Sequence, residues 1–201
     1  MEIGHDLCDD LGMKAVAIAL VSFASACVGS GSVSARDLGQ NFSRQPLIAA
    51  EAFIGDFYSF DPVRLRKAMA NATDSMGDIV YYQGWAEAGN YVVLKREPCR
   101  FEKADEVICG VTVKDDLAPA LRISYHVTDS FHFTFRDGRI VKVWNSSDDP
   151  PEFHQAMGWL RRNFPEIFTG PCRGIWEGGP TPQLCVRAIV RGFREFTARR
   201  L

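Results

Sequence analysis

The chain lacks any excess of positive charge: 23 lysines and arginines face 25 aspartates and glutamates, for a formal net charge of −2. A dedicated nucleic-acid binder normally carries a broad basic footprint, so that class is excluded as the main role. Also missing are the G-x-S-x-G elbow, H-E-x-x-H, a phosphate-binding glycine loop and a dinucleotide fingerprint, which leaves those chemistries without support. None of the 6 cysteines forms a C-x-x-C pair, so zinc-ligand spacing is absent, and the sequence calls for no metal and no cofactor. Gly29–Ser32, which reads GSGS, lies in a leader-like segment and needs no ligand.

What is present begins with that segment, residues 1–35. Met13-Lys14 precedes AVAIALVSFASA, an uncharged run too short to read as a membrane span. Small residues fill the −3 and −1 places of two cleavage sites, Ala24/Ala26 and Val33/Ala35, in the manner of a secretory signal peptide. The stretch upstream, MEIGHDLCDDLG, is acidic, the wrong sign for a signal n-region, so the true start is read at Met13. Cys27 after Ala24-Ser25-Ala26 offers an alternative, a lipobox cysteine that tethers the protein to the membrane surface, although Ala24 stands where leucine is usual. Residues 36–45 are read as a linker.

The remaining cysteines agree with export to a periplasmic or extracellular space, with lipid anchoring in the cell envelope as the alternative. Cys99, Cys109, Cys172 and Cys185 are an even set suited to an oxidising compartment. Cys99 and Cys109 flank RFEKADEVI, whose ends read as paired strands, and Cys172 and Cys185 flank a loop rich in Gly and Pro. Local pairing within each couple is expected. Closing loops of that size contributes on the order of 3 kcal/mol each in the chain-entropy model.

Along the mature chain, Leu47, Ala50, Phe53, Ile54 and Phe57 recur at helical spacing after Pro46. Asp61-Pro62 reads as an N-cap and first-turn proline opening a second helix, with Val63, Leu65 and Met69 as its apolar positions. DIVYYQG reads as a short strand ending at Gly84, and WAEAGNY as a helical turn or two. From Tyr91 the period changes to two. YVVLKREPCRF and EVICGVTVKDD are antiparallel strands, RISYHVTDSFHFTF is long enough for one bent strand or two, and Asp137-Gly138 turns into IVKVWNSS. Asp148-Asp149 before Pro150-Pro151 is placed to cap a helix over EFHQAMGWLRRNF. In the tail, Ile189, Phe193 and Phe196 share one helical face and Arg187, Arg191 and Arg194 another. That tail reads as a docking helix with a solvated basic side, against the alternative of a surface for an anionic partner or membrane. Gly192 weakens it as a free helix.

This succession predicts an α+β domain over residues 46–164, followed by a disulfide loop and basic helix over 165–201. Three pieces, AEAFIGDFYSFDPVRLRKAM, VYYQGWAEA and FHFTFRDGRIVKVWNSSDD, resemble the nuclear-transport-factor-2-like superfamily, including its SnoaL-like and ketosteroid-isomerase-like members. The resemblance covers roughly residues 46–149 and implies a cystatin-like cone: a curved antiparallel sheet wrapped around N-terminal helices. It also implies an apolar pocket on the concave face, and in several members pairing into dimers, so a homodimer is a further expectation.

Counting by twos puts Leu121, Ile123, Tyr125, Val127, Asp129, Phe131, Phe133 and Phe135 on one face of the long strand. His126 and His132 fall on the other and read as solvated, and His154 has no ligand set around it. Asp129 on the apolar side would be desolvated and its pKa raised, which suits an acid–base role with Tyr58, Tyr81 or Tyr125 donating a hydrogen bond. A bulge near it would instead turn it to water. Tyr58, Tyr81, Trp85, Tyr125, Phe131 and Trp144 are the expected lining of a pocket for an apolar small molecule. The expected function is a non-enzymatic binding or interaction module. The alternative is an enzyme using Asp129 for proton transfer on an apolar carbonyl compound.

Overall fold

The computed structural model describes residues 35–175 and 183–200, with side chains from Arg44 onward. The leader, the start at Met13 and the cysteine at Cys27 lie outside the described residues, as does part of the second cysteine loop.

The element order is α1 (Ala35–Phe57), α2 (Pro62–Ala68), α3 (Thr73–Ala88), β1 (Val92–Arg96), β2 (Arg100–Lys103), β3 (Glu106–Lys114), α4 (Leu117–Ala120), β4 (Val127–Arg136), β5 (Arg139–Ser147), α5 (Pro151–Asn163), α6 (Pro165–Thr169) and α7 (Gln183–Ala198). The class is α+β. One antiparallel sheet runs β1-β3-β4-β5, with β2 also paired to β3. β1 and β2 are two halves of one broken strand: β1 pairs with the Val111–Lys114 half of β3, and β2 with the Glu106–Ile108 half. Pro98, which cannot donate to a ladder, sits in the break.

The β4–β5 hairpin follows from its turn residues. Asp137 and Gly138 both adopt positive φ, 50° and 72°, as a two-residue hairpin of right-handed twist requires. Along β4 burial alternates strictly from Val127 to Phe135, and pairing with β3 is unbroken from Glu106↔Thr134 to Val113↔Val127. The only irregularity on the β5 side falls at Thr134/Phe135, beyond Asp129. The parity read from the sequence therefore holds through Asp129. The strand is shorter than expected: Leu121–His126 is irregular, and α4 precedes it.

Three other expectations change. Thr73–Ala88 is one helix running through Gly84, where the sequence suggested a strand and a separate turn. Ser75, Ile79, Val80, Tyr81, Tyr82, Gln83, Trp85 and Ala86 are all buried, so the helix is covered on most sides and shows no polar stripe to betray its period. Residues 36–45, expected as a linker, belong to α1, with Pro46 inside the helix. Pro150, not an aspartate, occupies the N-cap of α5, and no side chain caps it. Asp148 accepts from Thr128 N at 2.6 Å, and Asp149 from Ser147 Oγ at 2.9 Å. Asp61 does cap α2, taking the amides of Val63 and Arg64, while Val63 itself is 75% exposed.

The helices meet the sheet through one continuous core. Phe53 and Phe57 of α1 pack edge-on against Phe133 and Phe131, at centroid distances of 5.0 and 4.8 Å. Gln83 of α3 donates to Phe57 O at 2.8 Å, a second bond to a carbonyl at the end of α1 that also accepts from Phe60 N at 3.2 Å. Ser75 accepts from Val143 N at 3.0 Å, satisfying an amide of the edge strand β5.

Both disulfides pair locally, Cys99–Cys109 and Cys172–Cys185, as an oxidising environment would allow. The second ties α7 into the domain, where Cys185, Ile189 and Phe193 are fully buried and Phe196 nearly so. Gly192 lets α7 approach α5 closely: a Cβ there would stand 2.2 Å from Leu160 Cδ2. The glycine that weakens the helix in isolation is what permits its docking. Among the described residues no helix is long and apolar enough to cross a membrane.

Candidate functional site

The site is built on Asp129, which β4 aims into the core. It is completely buried, and both carboxylate oxygens are occupied: Tyr58 OH donates to Oδ2 at 2.6 Å, and Tyr82 OH donates to Oδ1. Tyr58 stands just past the end of α1 and Tyr82 in the middle of α3, so three separate elements meet at one carboxyl group. Phe131, two residues along β4, packs on Phe57 at 4.8 Å and on Tyr58 at 6.1 Å, which fixes the first tyrosine over the carboxylate.

No cation faces the buried acid closely enough to form an ion pair among the described residues. Burial pushes the Asp129 carboxyl up to about 6; the two tyrosine hydroxyls pull it back down, and the nearby Asp149 and Asp148 add to the rise. Burial pushes Tyr58, Tyr82 and Tyr91 all well above the usual phenol range, and the charge of Asp129 adds to the rise in each. Tyr58 and Tyr82 stay protonated and donate to Asp129, while the Tyr91 oxygen accepts from the Trp85 indole N–H.

Beside this cluster lies a cleft of about 430 Å³. One wall is α3, with Asp78, Tyr81, Tyr82 and Trp85; the ring of Tyr91, which hydrogen-bonds Trp85, continues it. The end of β5 supplies Asn145, Ser146 and Ser147, and α5 closes the far side with Phe153, His154, Met157 and Arg161. Asp149 sits at the join, its carboxyl raised by burial and lowered by Ser147 and His154. The arrangement is an aromatic wall facing a rim of placed polar groups. Tyr82 belongs to both sites, bordering the cleft while its hydroxyl donates to Asp129.

The sequence-derived residues divide accordingly. Tyr81 and Trp85 border the cleft, and Tyr58 binds Asp129. Phe131 is fully buried core and does not border the cleft. Tyr125 donates instead to Asp148 O at 2.6 Å. Trp144 is corrected outright: it is 47% exposed on the opposite face of the sheet, its ring stacked on His132 at 3.6 Å. The cause is parity. Val143 pairs with inward Phe133, so Trp144 pairs with outward His132.

Tyr91, an aromatic the sequence offers for a pocket, does border the cleft, whereas Tyr82, Asp149 and the α5 wall were missed as site residues. Tyr82 follows Tyr81 directly, and only a helical reading of α3 would have turned it toward Asp129. Among the described residues no three His, Cys, Asp or Glu side chains are placed to hold a metal ion. Compared with family profiles, curated proteins and solved structures, the chain finds no match.

Proposed function

We propose that the protein is an exported binding domain of the cone-shaped, nuclear-transport-factor-2-like kind, and that it takes a mostly apolar small molecule in the cleft between α3, the end of β5 and α5. The observation that carries this reading is the cleft itself. A volume of about 430 Å³ lined by Tyr81, Tyr82, Trp85 and Tyr91, with a few polar groups at its edge, has the size and composition of a small-molecule site. The paired local disulfides support the exported setting.

The Asp129 cluster supports binding over catalysis. A general base must reach the proton it removes, yet Asp129 is completely buried and both its oxygens hold tyrosine hydroxyls. Its role in this reading is to lock Tyr82, and with it the aromatic wall. One observation favours the enzymatic alternative. Tyr82 connects the cleft to a carboxyl group that titrates near 6, a path by which a proton could move between Asp129 and a bound carbonyl compound.

The test is a thermal-shift screen of apolar and aromatic small molecules, repeated with Asn145→Trp, which fills the cleft from its rim without entering the core. Compounds that raise the melting temperature of the wild type should lose that effect in the variant. Shifts that survive the plug would place binding elsewhere. For the alternative, deuterium exchange at the α-carbon of a bound ketone, abolished by Asp129→Asn, would turn the site into an enzyme.

A further inference from the structure

Charge is divided unevenly along the chain. Residues 151–201 hold eight arginines, no lysine and four glutamates, a balance of +4, which leaves −6 for residues 1–150 of a chain whose total is −2. Among the described residues, none of these eight arginines forms an ion pair with a carboxylate. Several lie over aromatic rings instead. Arg161 covers Phe168 at 5.2 Å, Arg199 covers Trp159 at 5.5 Å, and Arg200 covers Phe196 at 4.6 Å.

Two of those stacked guanidiniums share a hollow with a third. Arg162 of α5 and Arg199 and Arg200 at the end of α7 border a space of about 540 Å³ that no acidic residue lines among the described residues. The stacking on Trp159 and Phe196 restricts two of the three side chains. A hydrogen bond from Arg200 Nη2 to Gln155 Oε1 at 3.1 Å restricts one of them further. Three like charges around one hollow repel each other, and nothing in its wall offsets that repulsion. An anion seated among them would.

We propose that this hollow is a phosphate-binding site, built for the phosphate group of a lipid headgroup or of a soluble phosphate. The guanidinium is planar, always charged and able to offer paired N–H donors to phosphate oxygens, whereas an ammonium acts as a point charge. The exclusive use of arginine in this part of the chain fits that chemistry. Holding the side chains on rings lowers the ordering cost of binding while leaving the charge unspent. The second arginine stripe, Arg187, Arg191 and Arg194, is a poorer site, because Glu87 and Asp116 share its groove.

The experiment uses the full chain and three proteins: wild type, the triple variant Arg162→Gln/Arg199→Gln/Arg200→Gln, and a control with the same loss of charge elsewhere, Arg100→Gln/Arg136→Gln/Arg139→Gln. Each is titrated with inorganic phosphate against chloride at matched ionic strength, and sedimented with phosphatidylglycerol or phosphatidylcholine vesicles. Circular dichroism verifies that each variant is folded. Saturable phosphate binding that the triple variant weakens by about tenfold or more, with the control unchanged, supports the site and points to a soluble phosphate. Binding confined to phosphatidylglycerol vesicles, weakened by about a hundredfold in the triple variant alone, supports it and points to a headgroup. Lysine at the three positions should restore only part of either effect. Absence of binding to both probes, or equal loss in the control and the triple variant, overturns the proposal.

Discussion

The interior around Asp129 and the helical layer after Pro150 handle charge in opposite ways. Inside, a single carboxyl group is completely buried and satisfied by two neutral hydroxyls, with no ion pair to a cation among the described residues. In the helical layer, arginines remain at the surface, lie on aromatic rings and meet no carboxylate among the described residues. The interior lowers its own charge by shifting a pKa, while the surface layer keeps its charge intact. What separates the two is desolvation: a buried ion must be neutralised or hydrogen-bonded, whereas an exposed guanidinium is already hydrated. Rigidity belongs to the first region and availability to the second.

The largest effect should come from emptying the interior. Phe131→Ala removes a fully buried ring that touches Phe53, Phe57, Tyr58 and Tyr82, and should lower unfolding stability by about 3–5 kcal/mol in urea titrations. A loss below about 1 kcal/mol would mean the cluster around Asp129 is loosely packed.

Next comes the buried charge itself. The Asp129 carboxyl is raised to about 6 from an ordinary value of about 3.9. A raised carboxyl binds its proton more tightly folded than unfolded. Its contribution is therefore fully present below about pH 4 and fades as pH rises through about 6, by about 3 kcal/mol. Asp129→Asn should remove that part of the decline, so stability measured at about pH 4 and about pH 8 should differ less than in the wild type. Asp115 and Asp149, also raised by burial, act in the same direction and leave a residual slope. An unchanged pH profile in the variant would show that Asp129 does not titrate in this range.

The join between the two regions can be strained directly. Gly192→Val places a side chain against Leu160 and should destabilise the protein by about 1–3 kcal/mol, with loss of protection from hydrogen exchange centred on α7. If exchange rises equally across β4, the helical layer is not a separable unit of stability.

The smallest effect is expected at the surface. Arg199→Gln gives up one exposed stacking contact with Trp159 and should cost less than about 1 kcal/mol by thermal melting. A larger loss would make the arginines structural, and the contrast between the two regions would weaken.

Much of the architecture was legible because short-range rules governed it. Asp137-Gly138 specified a hairpin, Asp61-Pro62 a helix start, and the alternation from Val127 to Phe135 placed Asp129 on the buried face. The cysteine pairs followed from the segments between them. α3 was not legible, because a helix buried on most sides has no polar stripe to display its period. The cleft was legible only in part for the same reason. Reading 78–84 as a strand hid the i and i+4 spacing that puts Tyr81 and Trp85 on one wall. Trp144 was misassigned because an aromatic residue in a strand suggests a core, and only the pairing register showed which way it points.

By itself the sequence determined the class of the domain, its disulfide pairing and the inward direction of Asp129, since turn chemistry, side-chain alternation and loop length act over a few residues. Only the tertiary structure decided what Asp129 meets. Tyr58 and Tyr82 lie 71 and 47 residues away along the chain, and packing of α1 and α3 on the sheet brings both to one carboxyl group. Contacts between elements that distant depend on how whole faces fit together, and no local pattern encodes them.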